Sequence, residues 1–184
     1  PMPRAAEEYT IAFRRDGVMA MTMLDPFAPQ PSWNTRPAGG VVIGEGGNYR
    51  LHFVDFPGDT TRTITLLRGP VGITAEERDS ALAAFEERLS DSENSTPDRR
   101  PRVPDTKPAH GALFSDDEGR IWVRVGGGAS SAWAVFAADG VYLGAIPMPQ
   151  EAGYQQAVVR AGRLALAASV EGIPTVIVYS LTGG

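Results

Sequence analysis

The sequence predicts an all-β fold of four-stranded antiparallel meanders, interrupted once by an α-helix. Three observations carry this: short apolar runs closed by turn signals, repetition of that pattern, and one segment of helical period. The first is clearest over residues 112–149. Ala112-Leu113-Phe114 is closed by Asp116-Asp117-Glu118-Gly119, and Ile121 to Val125 is closed by the glycines 126–128. Trp133 to Phe136 is closed by Asp139-Gly140, and Val141 to Ile146 runs out into prolines. Runs rich in Val, Ile, Trp, Tyr and Phe between Asp-Gly and Gly-Gly signals read as strands joined by hairpins. The apolar residues lack the three-and-four spacing of an amphipathic helix.

Self-similarity is the second observation. Gly119-Arg-Ile-Trp-Val-Arg-Val125 matches Gly162-Arg-Leu-Ala-Leu-Ala-Ala168 and, more loosely, Gly40-Val-Val-Ile-Gly-Glu45. The later pair is offset by about 43 residues, and the earlier pair recovers roughly that spacing once an insertion over residues 71–106 is set aside. Four strands per period of about 40 to 50 residues is what propeller blades show. The string Asp116-x-x-Gly119-Arg-Ile-Trp122, continued by Trp133-x-Val-Phe136-x-x-Asp139-Gly140-x-Tyr142, resembles the six-bladed β-propeller proteins, NHL- and TolB-like, of environmental bacteria. The resemblance covers about three blades, roughly half of such a propeller. It implies β-propeller blades and a periplasmic or extracellular setting. It implies no activity, because propellers host many unrelated functions.

In chain order, residues 1–184 read as a single propeller-like domain or half-propeller. Tyr9 to Leu24 is a hairpin turning at Asp16-Gly17. Met19, Met21 and Met23 share one face of its second arm and are expected to fill core between packed sheets, with an adaptable binding surface as the alternative. Asp25 to Trp33 carries three prolines and is read as an extended connection anchored by Phe27 and Trp33. The first blade comprises a strand near Trp33, then Val41–Gly44, Tyr49–Asp55 and Thr61–Leu67. His52, in the third of these strands, reads as a packed or surface residue. Thr74-Ala-Glu-Glu77 is a capping box, and Leu82, Phe85 and Leu89 form an apolar stripe, which predicts one helix over about residues 74–90. Residues 90–108 are polar, carry four prolines and read as a flexible, disordered linker. After the second blade, Ala157–Arg160, Arg163–Ser169 and Thr175–Leu181 give a unit without a fourth strand. That open edge, and the N-terminal hairpin, predict a homodimer completing a six-bladed ring. The competing expectation is that the missing blades belong to a longer polypeptide.

Composition narrows the function classes. A net charge of −5 argues against a nucleic-acid surface. No apolar run approaches the length of a membrane span, and PMPRAAEEY lacks the apolar core of a signal peptide. The absence of cysteine excludes disulfides, thiol catalysis and cysteinyl metal sites. Of the 17 basic residues only Lys107 is lysine. Arginine suits bidentate recognition of carboxylate or phosphate, although GC-rich coding gives the same bias.

Sequence motifs for catalysis are absent: there is no P-loop, GxGxxG after a strand, HExxH or GxSxG elbow. Asp116, Asp117 and Glu118 group three carboxylates, hard oxygen ligands of the kind Ca²⁺ takes. EF-hand spacing is missing and Asp-rich turns between strands are routine, so the expectation is a turn and no cofactor, with Ca²⁺ as the alternative. His110 stands before the innermost strand of the second blade, at the expected channel mouth. With Arg124 and Arg160 it makes the candidate ligand-binding set. The function expected is a non-catalytic binding or scaffold module that presents loops to a small-molecule ligand or protein partner. The rival is a metal-dependent, lactonase-like propeller hydrolase. Histidine and acidic ligands converging on one point favour the rival, and an arginine-lined mouth favours binding.

Overall fold

Turn chemistry places the hairpins where the sequence puts them. The structure is a computed structural model and describes residues 7–56, 58–90, 96–126, 131–147 and 157–181. Asp16-Gly17, Ala161-Gly162 and Glu171-Gly172 each have two successive positive φ angles. That is the backbone of a two-residue hairpin turn whose twist matches the flanking strands. The strands are β1 (Thr10–Arg15), β2 (Val18–Leu24), β3 (Ser32–Thr35), β4 (Val41–Gly44), β5 (Arg50–Val54) and β6 (Thr60–Thr65). Helix α1 (Ala75–Ser90) and the two-residue β7 (Thr96–Pro97) follow. Then come β8 (Leu113–Ser115), β9 (Ile121–Val125), β10 (Ala132–Phe136), β11 (Tyr142–Pro147), β12 (Ala157–Arg160), β13 (Arg163–Val170) and β14 (Ile173–Ser180).

These strands form four antiparallel sheets. Two are complete four-stranded meanders, β3-β4-β5-β6 and β8-β9-β10-β11, and a third is the three-stranded β12-β13-β14. The first strands of these three sheets are neighbours: β3 lies beside β8, and β8 beside β12. The Asn34 side chain accepts a hydrogen bond from the Ser115 amide across the first contact, at 3.2 Å. Sheets stacked face to face with their first strands side by side are propeller-like blades, and the described residues form three of them.

The middle blade is apolar on both faces, so it is the core of the stack. Ile121, Val123, Val125, Ala134 and Phe136 pack onto Val42, Leu51 and Phe53 of the first blade. Phe114, Trp122, Trp133 and Val135 pack onto Val159, Leu164 and Leu166 of the third. Phe114 stacks on Trp122 at 5.7 Å and meets Trp133 edge-on at 5.0 Å. Among the described residues, the third blade buries that face only. Val158, Val176 and Val178, aligned across β12 and β14 on its other face, are all more than half exposed.

The N-terminal hairpin makes its own sheet, in the order β2-β1-β7. Helix α1 covers it, with Phe85 buried against Ile11 and Phe13. The capping box is present: the Glu77 amide donates to Thr74 Oγ1 and the Thr74 amide to the Glu77 carboxylate. Two expectations need correction here. The methionine row is not core filling, since Met19 and Met21 are exposed and only Met23 touches the Ile11–Phe13–Phe85 cluster. The cause is that β2 is an edge strand whose sheet buries little beyond β1.

The second correction concerns the segment expected to be a flexible linker. Residues 91–95 lie outside the described residues, but 96–108 are held along their length. Thr96 and Pro97 pair with β1, and Arg99 clamps the buried Asp25 carboxylate with two bonds of 2.9 and 2.8 Å. Arg78 donates to the Val103 and Pro104 carbonyls, and Lys107 pairs with Glu77 at 2.6 Å. Polar composition indicated a loose chain, but in this segment the polar groups are what anchor it.

Candidate functional site

His110 ends that anchored segment and is 2% exposed. Its Nε2 accepts the Gly46 amide at 3.1 Å, which leaves Nδ1 as the protonated nitrogen, donating to the Gly111 carbonyl at 3.1 Å. Tyr49 lies edge-on to the ring at 5.7 Å. Burial lowers the imidazole pKa, only partly opposed by the bond to the Gly111 carbonyl and the charge of Glu45. The ring is therefore neutral with both nitrogens engaged. His110, a candidate ligand-binding residue, latches the first blade to the lead into the second. Gly44 makes room for it, since a Cβ there would lie 2.7 Å from Nε2.

The three carboxylates weighed as an alternative Ca²⁺ site are each bonded to protein donors. Asp116 is buried and folds back over its own turn: Oδ1 accepts the amides of Glu118 and Arg120, and Oδ2 accepts Arg120 Nε at 2.6 Å and Trp122 Nε1 at 2.8 Å. Asp117 accepts the Ala161 amide of the next blade at 2.9 Å, and Glu118 pairs with Arg120 at 2.9 Å. Asp116 and Glu118 share Arg120 as a donor, and Asp117 turns to the next blade. Among the described residues no three His, Asp or Glu side chains form a metal-holding group.

Arg124 and Arg160 lie at opposite ends of the blades. Arg160 is exposed beside the β12–β13 turn, near Asp117, and so is not brought together with His110. Arg124 lies at the His110 end, where its backbone pairs with Gly111 and Ala112. Its guanidinium rests over Gly111, where a Cβ would stand 2.9 Å from Nε. Two clefts open at this end, of about 470 and about 660 Å³, with Lys107, Pro108 and Gly126 in the walls of both. The larger takes in Arg124, His110, Ser32, Phe27 and the Glu77–Lys107 pair. The smaller takes in Arg68 and Tyr49, whose buried hydroxyl has no hydrogen-bond partner and whose pKa is raised by burial.

Sequence reasoning missed Ser32, Phe27, Tyr49 and Arg68 as groove residues. The lone lysine, Lys107, was the one available signal, and it stands between the clefts. A further constellation lies on the open face of the first blade: His52 shares a hydrogen bond with Thr63 Oγ1 at 3.0 Å, and Glu45 lies 3.3 Å from Nε2. A hydroxyl, an imidazole and a carboxylate in line suggest a nucleophile relay. Neither cleft reaches them, and they read as a polar row on a sheet face.

Fold and site together define a protein of propeller-like blades with an arginine-bearing groove beside the first strands. No family model matches the chain, and no curated protein matches it. Among solved structures it is similar to a streptogramin B lyase, at 12% identity and a TM-score of 0.41, over 97% of this chain and 48% of that one. It is also similar to a protein of unknown function from Bacteroides caccae, at 9% identity and a TM-score of 0.27, over 87% of this chain and 65% of that one. The chain thus spans about half the length of the first. The blade assignment rests on the sheet topology, not on these likenesses. No helix among the described residues is long and apolar enough to cross a membrane.

Proposed function

We propose that this chain is a non-catalytic binding module that offers the groove at the His110 end of its blades to a small-molecule ligand or protein partner. One observation carries the reading. The groups expected to do acid–base or metal chemistry, His110 and Asp116 to Glu118, are committed to internal bonds, whereas the Arg124 guanidinium lines an open cleft of about 660 Å³. Pre-formed clefts with a few convergent polar groups are the usual form of ligand sites. The test is a fragment screen by NMR that follows protein shifts and fragment integrity together. Shifts gathered on residues 30–32, 107–112 and 124–126, with fragments unchanged, support a binding module. Turnover of a lactone or ester with an added divalent ion, lost in Asp116→Asn, would install the lactonase-like hydrolase instead.

The blade stack supports a second proposal, about the partner. The third blade leaves Val158, Val176 and Val178 uncovered, and β14 is its free edge. A second copy covering that face with its own first blade continues the packing already seen between blades and rebuilds a six-bladed, NHL- or TolB-like ring with twofold symmetry. Light scattering tests it: a particle of twice the chain mass supports the dimer, and a stable monomer that unfolds cooperatively refutes it.

A further inference from the structure

We infer that the larger cleft is selective for small monocarboxylates with an apolar body, anchored by Arg124. This rests on the binding-module reading and adds the chemical class of the ligand. The first ground is charge. Of the ionisable groups in the walls, Glu77 and Lys107 neutralise one another at 2.6 Å, and His110 is held neutral by burial, its Nε2 lone pair taken up by the Gly46 amide. That leaves Arg124 as the one uncompensated charge among the described wall residues, with no hydrogen-bond partner among them for its guanidinium. A planar fork of N–H donors matches a carboxylate in two parallel bonds.

The second ground is Ser32. Its hydroxyl is buried without a hydrogen-bond partner, in the wall of the same cleft. Buried polar groups are almost always paired, so an idle hydroxyl and an idle guanidinium in the walls of one cleft point to an acceptor between those walls. The third ground is the remaining wall. Phe27, Ala28, Pro31, Pro108 and Ala112 present apolar surface, and Phe27 holds a φ of 58°, a conformation a bulky side chain rarely adopts. Strain of that kind collects at ligand clamps. One charge and one hydroxyl suit a monoanion. A phosphate dianion would need more donors than one guanidinium and one hydroxyl supply.

The probes are benzoate, the neutral isostere benzamide and inorganic phosphate, titrated into the full chain and followed by NMR shifts and calorimetry. Benzoate is expected to bind with shifts at Ser32, Gly111 and Arg124, and tighter than benzamide or phosphate. Arg124→Gln should weaken benzoate by roughly tenfold or more, the usual scale for losing a charge-assisted pair. Arg163→Gln, which removes an exposed charge elsewhere, should leave binding unchanged. Gly111→Ala keeps the charge but crowds the guanidinium, and should weaken benzoate without weakening benzamide. Benzamide binding in the cleft as tightly as benzoate, or benzoate unaffected by Arg124→Gln, overturns the ligand class and leaves the binding-module reading standing. No shifts in the cleft with any probe at millimolar concentration overturns the ligand class. A broad fragment set that also fails there overturns both.

Discussion

Replacing Asp116 by alanine tests the view that its turn is a structural device and not a cation site. The carboxylate is fully enclosed and serves four donors. Its loss orphans Trp122 Nε1 in a side chain 2% exposed. An unsatisfied buried donor costs about 1–3 kcal/mol, and loss of the charge-assisted Arg120 bond brings the expected total to about 3–5 kcal/mol. The two turn amides regain water and add little. Urea unfolding followed by tryptophan fluorescence reads this directly, since Trp122 is the residue disturbed. A double-mutant cycle isolates the indole bond: with Trp122→Phe in the background, Asp116→Ala should cost about 1–2 kcal/mol less. A calcium site predicts something different, because a cation that binds only the folded state raises stability with its concentration. We expect the same unfolding midpoint in calcium and in chelator. A loss below about 0.5 kcal/mol in Asp116→Ala, or calcium stabilisation that the variant abolishes, would refute the reasoning.

Other expectations follow from the same packing. Trp133→Ala empties the seam between the second and third blades and should cost about 3–5 kcal/mol by chemical denaturation, against near zero if the blades do not stack. Gly44→Ala drives a methyl group into the buried His110 ring and should cost about 1–3 kcal/mol, relieved in part by His110→Ala. Because the His110 pKa is lowered in the fold, the unfolded chain takes up its proton first. Stability should therefore fall as pH drops through about 6.5 and level off below the folded value, and a His110→Gln variant should flatten that segment of a stability–pH series. Trypsin should cut the wild type slowly at Arg99 to Arg102 and rapidly in Asp25→Ala, which frees Arg99 from its clamp; equal rates would mean the segment is not held there.

The sequence by itself determined the helix, the hairpins and every strand but β7, which pairs within the segment read as a linker. Asp16-Gly17 and Glu171-Gly172 turn the chain because their backbone needs positive φ at two residues in a row, and the Thr74–Glu77 box starts a helix through bonds three residues apart. These are local requirements, met by neighbours in the chain, so a linear pattern displays them. The nearly unbroken apolar runs Ile121–Val125 and Trp133–Phe136 are what make the middle blade apolar on both faces. What each polar residue does was decided by the tertiary structure. The donor to His110 Nε2 is there only because Gly46, 64 residues away, is folded beside it, whereas its acceptor, the Gly111 carbonyl, is next in the chain. Asp25 and Arg99 are 74 residues apart, and their meeting turned an expected loose linker into an anchored segment. The same holds for the groove, where Ser32, Lys107 and Arg124 come together from three parts of the chain. An imidazole or a carboxylate looks the same in sequence whether its lone pairs are filled or free. Which of the two obtains depends on donors brought near by folding, and so His110 was read as a ligand while Ser32 was passed over.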